Sequence, residues 1–171
     1  MKIRDEQASD IERIWEVNAE AFETEEEAHL INALRNSGCT YISLVAEAGT
    51  NTEINVIGHI LFTPVELSGD NKLKIMGLAP MAVFSQHQNK GIGSSLVEEG
   101  LERCKSKGYD AVVVLGHPDY YPKFGFAPSV KYGIKSEYDV PDNVFMILEL
   151  VPGSLENYTG VIKYHDAFNS A

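Results

Sequence analysis

One stretch near the middle of the chain, Gln86-His87-Gln88-Asn89-Lys90-Gly91-Ile92-Gly93-Ser94-Ser95, has the residue types and spacing to hold an anion. Small residues stand where an apolar run gives way to helix-periodic sequence, so backbone N–H groups converge on one point. The helix start adds unpaired donors and the positive end of the macrodipole, and the glycines remove the β-carbons that would keep a pyrophosphate at a distance. Two rival phosphate motifs fit these letters less well. A P-loop needs G-x-x-x-x-G-K-[ST], and here Lys90 precedes the glycines. A dinucleotide fingerprint needs a third Gly or Ala where Leu96 stands, and its ribose-binding acid ends the next strand, whereas Asp110 begins one. The bland alternative is a glycine turn that joins strand to helix.

Little else in the sequence has the spacing of a reactive centre. Cys39 and Cys104 lie far apart and outside any C-x-x-C, which speaks against a zinc knuckle or a disulfide framework and for free thiols in a reducing cytoplasm. His29, His87 and His165 lack metal-ligand spacing, so no metal is expected. With 14 Lys and Arg against 25 Asp and Glu, the formal charge of −11 excludes a broad nucleic-acid footprint. Any anionic ligand is therefore held locally. A chain of 171 residues is close to one domain of ~150. No apolar run approaches the ~18 residues that span a bilayer, and Met1 to Glu6 carries no signal core, so a cytoplasmic protein without membrane contact is expected.

The elements that must position the loop are legible around it. Ser9 with Glu12, and Thr24 with Glu27, form capping-box patterns ahead of helices near 10–22 and 25–36. Residues 41–48, 54–67 and 73–83 are rich in β-branched and apolar side chains. Gly49-Thr50-Asn51 and Ser68-Gly69-Asp70-Asn71 separate them as turns, which predicts an antiparallel meander. A helix over about 94–107, stopped by Gly108, then leads to a short buried strand at 111–115. This strand–helix–strand crossover requires a parallel pair, so the sheet is mixed. Strands at 130–134 and 144–151 are expected to close it as a hairpin, and residues 152–171 to form an irregular arm.

At this point the chain resembles the GNAT superfamily of N-acetyltransferases. The family's phosphate loop reads Q/R-x-x-G-x-G/A, and Gln88, Gly91 and Gly93 match it position by position. Leu78-Ala79-Pro80-Met81-Ala82-Val83 resembles the family's splayed fourth strand, and Tyr120-Tyr121-Pro122-Lys123-Phe124-Gly125-Phe126 its later F-Y-x-K-x-G-F signature. The resemblance covers residues 1–150 as one acetyltransferase domain, with 151–171 an arm packed on it. It implies a mixed α/β (α+β) fold with flanking helices on a mostly antiparallel sheet of six to seven strands. Departures from the pattern are Ser85, where many members carry proline, and the short link Gly116-His117-Pro118-Asp119.

The resemblance also implies a reaction and its parts. The cofactor is acetyl-CoA, a co-substrate whose pantetheine arm pairs with the backbone of Met81, Ala82 and Val83 like an added strand. Its pyrophosphate rests on Gln88, Asn89, Lys90, Gly91, Ile92, Gly93, Ser94 and Ser95. The Val83 N–H holds the oxyanion, and Tyr121 protonates the departing thiolate, with aromatic packing beside Phe124 and Phe126 as its structural alternative and Tyr120 as fallback. The general base stays open. Where some members carry a glutamate this chain has Gly77, which leaves Glu47, His59, Glu66, His117 or water. The partner is an amine acceptor, and the acidic charge favours a cationic one such as a polyamine, an aminosugar or a protein amino group. A monomer or homodimer is expected. The alternative function is a CoA or acyl-CoA sensor without turnover.

Overall fold

The computed structural model describes residues 1–50 and 52–169, Thr50 by its backbone alone. The expected turn at Gly49-Thr50-Asn51 reaches Asn51, and the arm reaches Ser170 and Ala171, which lie outside the described residues. Two compact units emerge. The first comprises Met1–Phe62, Pro80–Gly100 and the chain end from Asp166; the second comprises Thr63–Ala79 and Leu101–His165.

In the first unit, β1 (Lys2–Asp5) leads to α1 (Ile11–Phe22) and α2 (Glu26–Asn36), then β2 (Ile42–Thr50) and β3 (Glu53–Leu67), and later the last residues of β4 (Ile75–Val83). The strand order is β1-β2-β3-β4. β1 and β2 are antiparallel with Ile3 opposite Ala46, and β2 and β3 are antiparallel with Leu44 opposite Ile60, broken by a bulge between Ala46 and Glu47. Both helices bury one stripe on this sheet: Ile14, Leu30, Ile31 and Leu34 pack with Val45, Val56 and Leu61.

β1 was not foreseen. Lys2-Ile3-Arg4-Asp5 has a single apolar residue, and what fixes it is Arg4, whose guanidinium reaches Asp10 at 2.7 Å and Glu47 at 2.8 Å. The Ser9 capping box gives way to one shifted by two residues, in which the Gln7 N–H donates to Asp10 at 2.7 Å. Thr24 does accept the Glu26 N–H, at 2.9 Å.

The strand–helix contact that carries the loop relies on two glycines. α3 (Ile92–Ser106) buries Leu96 and Val97 completely. A β-carbon on Gly58 of β3 would meet the Leu96 side chain at 3.1 Å and Ile92 at 3.3 Å, and one on Gly100 of α3 would collide with the Phe62 ring. The close approach of helix and strand is possible only because both positions lack a side chain.

In the second unit, β4 runs parallel to β5 (Ala111–Leu115) from Ile75↔Ala111 to Leu78↔Val114. This is the parallel pair that the crossover demands. β8 (Phe145–Glu149) is antiparallel to β5 and also pairs with β6 (Ala127–Pro128), giving the order β4-β5-β8-β6. The expected hairpin of 130–134 with 144–151 does not form. Residues Ser129–Tyr132 wind into a 3-10 turn that ends at Gly133 in the left-handed region, φ 74°, and the strand β7 is only Ile134–Ser136. The stretch expected to be irregular supplies β9 (Gly160–Lys163), parallel to β7 and antiparallel to the end of β3. Among the described residues no helix is long and apolar enough to cross a membrane.

Gly100→Ala is expected to lower stability by about 1–3 kcal/mol through overpacking against Phe62, more than the helix-propensity gain of alanine returns. The check is a urea titration, in which the midpoint falls while the slope stays that of the parent.

Candidate active site

The junction between β4 and α3 lies within the first unit and is held at several points. The Phe84 N–H donates to the Ile57 carbonyl at 3.0 Å, and the Gln88 side-chain amide donates to the Val83 carbonyl at 2.9 Å. The Ser85 N–H is met by both carboxylate oxygens of Glu20, at 3.1 and 3.2 Å. Arg13 lies 4.2 Å over the Phe84 ring and donates to the Val56 carbonyl at 3.0 Å. Beyond these anchors the backbone turns through two left-handed residues, Asn89 at φ 63° and Gly91 at φ 82°, and enters α3. Gln88, Asn89, Lys90 and Gly91 are exposed, while Ile92 is buried under them.

A β-carbon on Gly91 would have nothing within 4 Å, and the first turn of α3 carries no acidic residue. Exposed amides, a helix start of 15 residues and no nearby carboxylate in that turn suit a pyrophosphate. Gln88 is a scaffold here, since its amide is spent on Val83. Glu20 escaped the sequence reading, because it sits in an acidic cluster with Glu23 and Glu25 to Glu27 that reads as a solvated helix start. Its one local signal is a position at the close of α1.

Met81, Ala82 and Val83 lie past Leu78, the last β4 residue paired with β5. Ala82 and Val83 are buried, and Met81 is half-buried.

Tyr121 belongs to the second unit. It opens a short 3-10 turn, Tyr121–Phe124, after the Tyr120 and Tyr121 N–H groups donate to the His117 carbonyl at 3.1 and 3.4 Å. Its ring stands edge-on to Tyr120 at 5.0 Å and to Phe126 at 5.7 Å, and Gly116 gives it room, because a β-carbon there would strike the ring. Burial, with a smaller contribution from Tyr120, pushes the phenol up to about 12, so it is a proton donor at neutral pH. Tyr120 is more open, and Lys123 lies 4.1 Å over its ring.

The four side chains considered as bases separate clearly. Glu47 is paired with Arg4, and His59 is fully buried. Its Nδ1 faces the Asn18 amide at 3.2 Å and its Nε2 the Ser43 hydroxyl at 2.9 Å. Ser43 in turn donates to Glu6, which Arg35 holds at 3.0 Å. Burial first, and Arg35 second, pull His59 down to about 3, so this imidazole is a neutral structural group. Glu66 is exposed on β3 opposite Lys163. His117 is exposed in the turn before Tyr121, and its Nδ1 accepts the Asp119 N–H at 3.4 Å. At Gly77 a β-carbon would meet the Tyr164 ring and Val65 at 2.9 Å, so no side chain fits there. Among the described residues no group of three or more His, Cys, Asp or Glu is arranged to hold a metal ion.

The His59 network predicts a pH dependence of stability. The unfolded imidazole takes up a proton below its ordinary 6.5 and the folded one only near 3, so its contribution is complete above pH 6.5 and is lost as pH falls toward 3. The expected slope is up to about 1.4 kcal/mol per pH unit. Denaturant titrations of the parent and His59→Gln between pH 7 and pH 4 check this, with the flatter curve belonging to the variant.

Comparison with known proteins gives the family and the fold. A model of the acetyltransferase (GNAT) domain matches residues 2–129. The uncharacterized N-acetyltransferase YhbS of Escherichia coli K12 is 36% identical over 149 residues, 87% of each chain. A crystal structure of the E. coli GNAT family N-acetyltransferase YhbS in complex with CoA has a TM-score of 0.90 at 33% identity, covering 98% of this chain and 91% of its own. A GNAT family acetyltransferase from Brucella melitensis in complex with acetyl-CoA has a TM-score of 0.79 at 32% identity, covering 98% and 97%. With an amide-lined strand–helix junction and a family model that spans most of its length, this chain belongs to the GNAT family of acetyltransferases.

Proposed function

We propose that the protein transfers the acetyl group of acetyl-CoA directly to a primary amine of a small molecule or protein. The observation that carries this reading is the exposed left-handed turn from Asn89 to Gly91, opening into an α3 start with no acidic residue. Within residues 88–95 the Gln88 and Ser95 N–H groups donate to the Ser85 and Gly91 carbonyls, so the pyrophosphate is assigned to the amides between them, with Lys90 as a supplementary charge at the rim. The backbone of Met81, Ala82 and Val83, past the last residue of β4 paired with β5, receives the pantetheine arm as an added strand. E. coli YhbS and the B. melitensis relative, solved with CoA and acetyl-CoA, support the choice of co-substrate.

In the reaction the amine nitrogen forms a bond to the thioester carbon and the carbon–sulfur bond breaks. The Val83 N–H is assigned to the developing oxyanion, which it stabilises as a fixed dipole. Tyr121 is assigned to protonate the thiolate, for which its raised pKa keeps the phenol loaded. The proton lost from the amine leaves through water or an acceptor-side group. We place the protein in the cytoplasm, where Cys39 and Cys104 persist as free thiols.

Two substitutions separate binding from chemistry. Gly91→Asp puts a β-carbon at a left-handed position and a carboxylate in the amide cradle, and calorimetry is expected to find no CoA binding where the parent saturates. Tyr121→Phe is expected to keep CoA affinity and lower kcat by about 10²- to 10⁴-fold in a thiol-release assay with an amine panel. Unchanged turnover in that variant would remove Tyr121 from the reaction.

A further inference from the structure

We propose that Glu20 is a positioning residue for the phosphate loop: its carboxylate, bound to the Ser85 N–H, sets the stem from which the amides between Gln88 and Ser95 meet CoA. The proposal rests on the acetyl-transfer reading and adds to that site a residue 65 positions away in the chain. Every group it involves belongs to the first unit.

One face of α1 holds the stem. Arg13, Val17 and Glu20 recur at helical spacing, each one turn from the next. Arg13 lies over the Phe84 ring, Val17 is fully buried with Ala82 and Phe84, and Glu20 reaches the next residue, Ser85. Packing accounts for the first two contacts and not for the third, since Glu20 and Ser85 are both exposed. What the carboxylate does is fix one backbone N–H, with Oε1 at 3.1 Å and Oε2 at 3.2 Å. Ser85 opens the 3-10 turn Ser85–His87, and an N–H at the start of such a turn takes its acceptor from outside it.

The placement of Ser85 is passed on to the loop. The His87 N–H donates to the Phe84 carbonyl at 2.8 Å and the Gln88 N–H to the Ser85 carbonyl at 3.3 Å, while the Gln88 side-chain amide returns to the Val83 carbonyl at 2.9 Å. Residues 83–88 are thereby closed on themselves by hydrogen bonds, and the left-handed residues Asn89 and Gly91 follow directly. A change in the direction of Ser85 therefore redirects the amides that come after it.

Charge and position act with opposite signs here. By charge alone a carboxylate on this stem disfavours a nearby anion, so its removal would tighten CoA binding. Positioning predicts weaker binding when the acceptor is lost. Glu20→Gln separates the two, because an amide oxygen still accepts the Ser85 N–H while the charge is gone.

The test is calorimetry of CoA with the full chain, which needs no acceptor amine. In Glu20→Ala the Kd for CoA is expected to rise about fivefold or more, and in Glu20→Gln to stay within about twofold of the parent or to fall. Ser85→Pro supplies the control. Phe84, at φ −52° and ψ 138°, already has the extended backbone that precedes a proline, and the first position of the turn tolerates a missing N–H. With that donor absent, adding Glu20→Ala to Ser85→Pro should change the Kd by less than about twofold. Glu20→Ala with unchanged or tighter binding, Glu20→Gln as weak as Glu20→Ala, or an undiminished Glu20→Ala effect in the Ser85→Pro background overturns the proposal. A lower urea midpoint for Glu20→Ala with the parent's Kd marks a merely structural contact and overturns it too. Failure of the parent to bind CoA counts against the acetyl-transfer reading itself and takes the proposal with it, whereas a parent that binds beside indifferent variants removes Glu20 alone.

Discussion

Under the proposed placement of the pyrophosphate, the constraint on which the rest of this molecule depends is that a strongly acidic chain must present backbone amides to an anion. Net charge repels a pyrophosphate at long range, but salt screens that repulsion beyond about 8–10 Å, so what decides binding is the field within one helical turn of the loop. There the chain is arranged with care. The acidic side chain that approaches the loop, Glu20, is spent on the Ser85 N–H, and α3 begins without an acid. Holding the amides in place then becomes a packing problem. Gly58 and Gly100 let α3 close on β3, and Arg13 against Phe84 fixes the strand end from which the loop departs.

A second set of buried polar groups serves the frame and not the chemistry. His59 runs through Ser43 to Glu6 and Arg35, and through Asn18 back to the Ile14 carbonyl, tying α1, α2, β2 and β3 together. Such a network is costly when incomplete, and Asn18 Oδ1 is indeed a buried oxygen without a partner. An imidazole locked at both nitrogens in a dry core holds position. It does not trade protons with a substrate.

What the sequence made legible was local. The glycine turn between β4 and α3, the three helices and the long strands β2, β3 and β4 follow from periodicity, turn residues and glycines within a few positions of one another. The elements that escaped are those fixed by distant partners. β1 depends on Arg4 reaching Glu47, 43 residues away. β9 depends on pairing with Ile134–Ser136 and with the end of β3. The β-branched run at 130–134 read as a strand, and Gly133 broke it, since a left-handed residue cannot continue a pleat.

Gly77 shows how one such long-range contact changes the chemistry available. A carboxylate at this position of β4 would need the volume that Tyr164 fills, and Tyr164 arrives from the segment after β9. The same residue brings an acid of its own, since its N–H donates to Glu137 at 2.6 Å. The negative charge that this strand does not carry therefore stands on the neighbouring loop, where it is solvated and shared with Asp139 and Asp142.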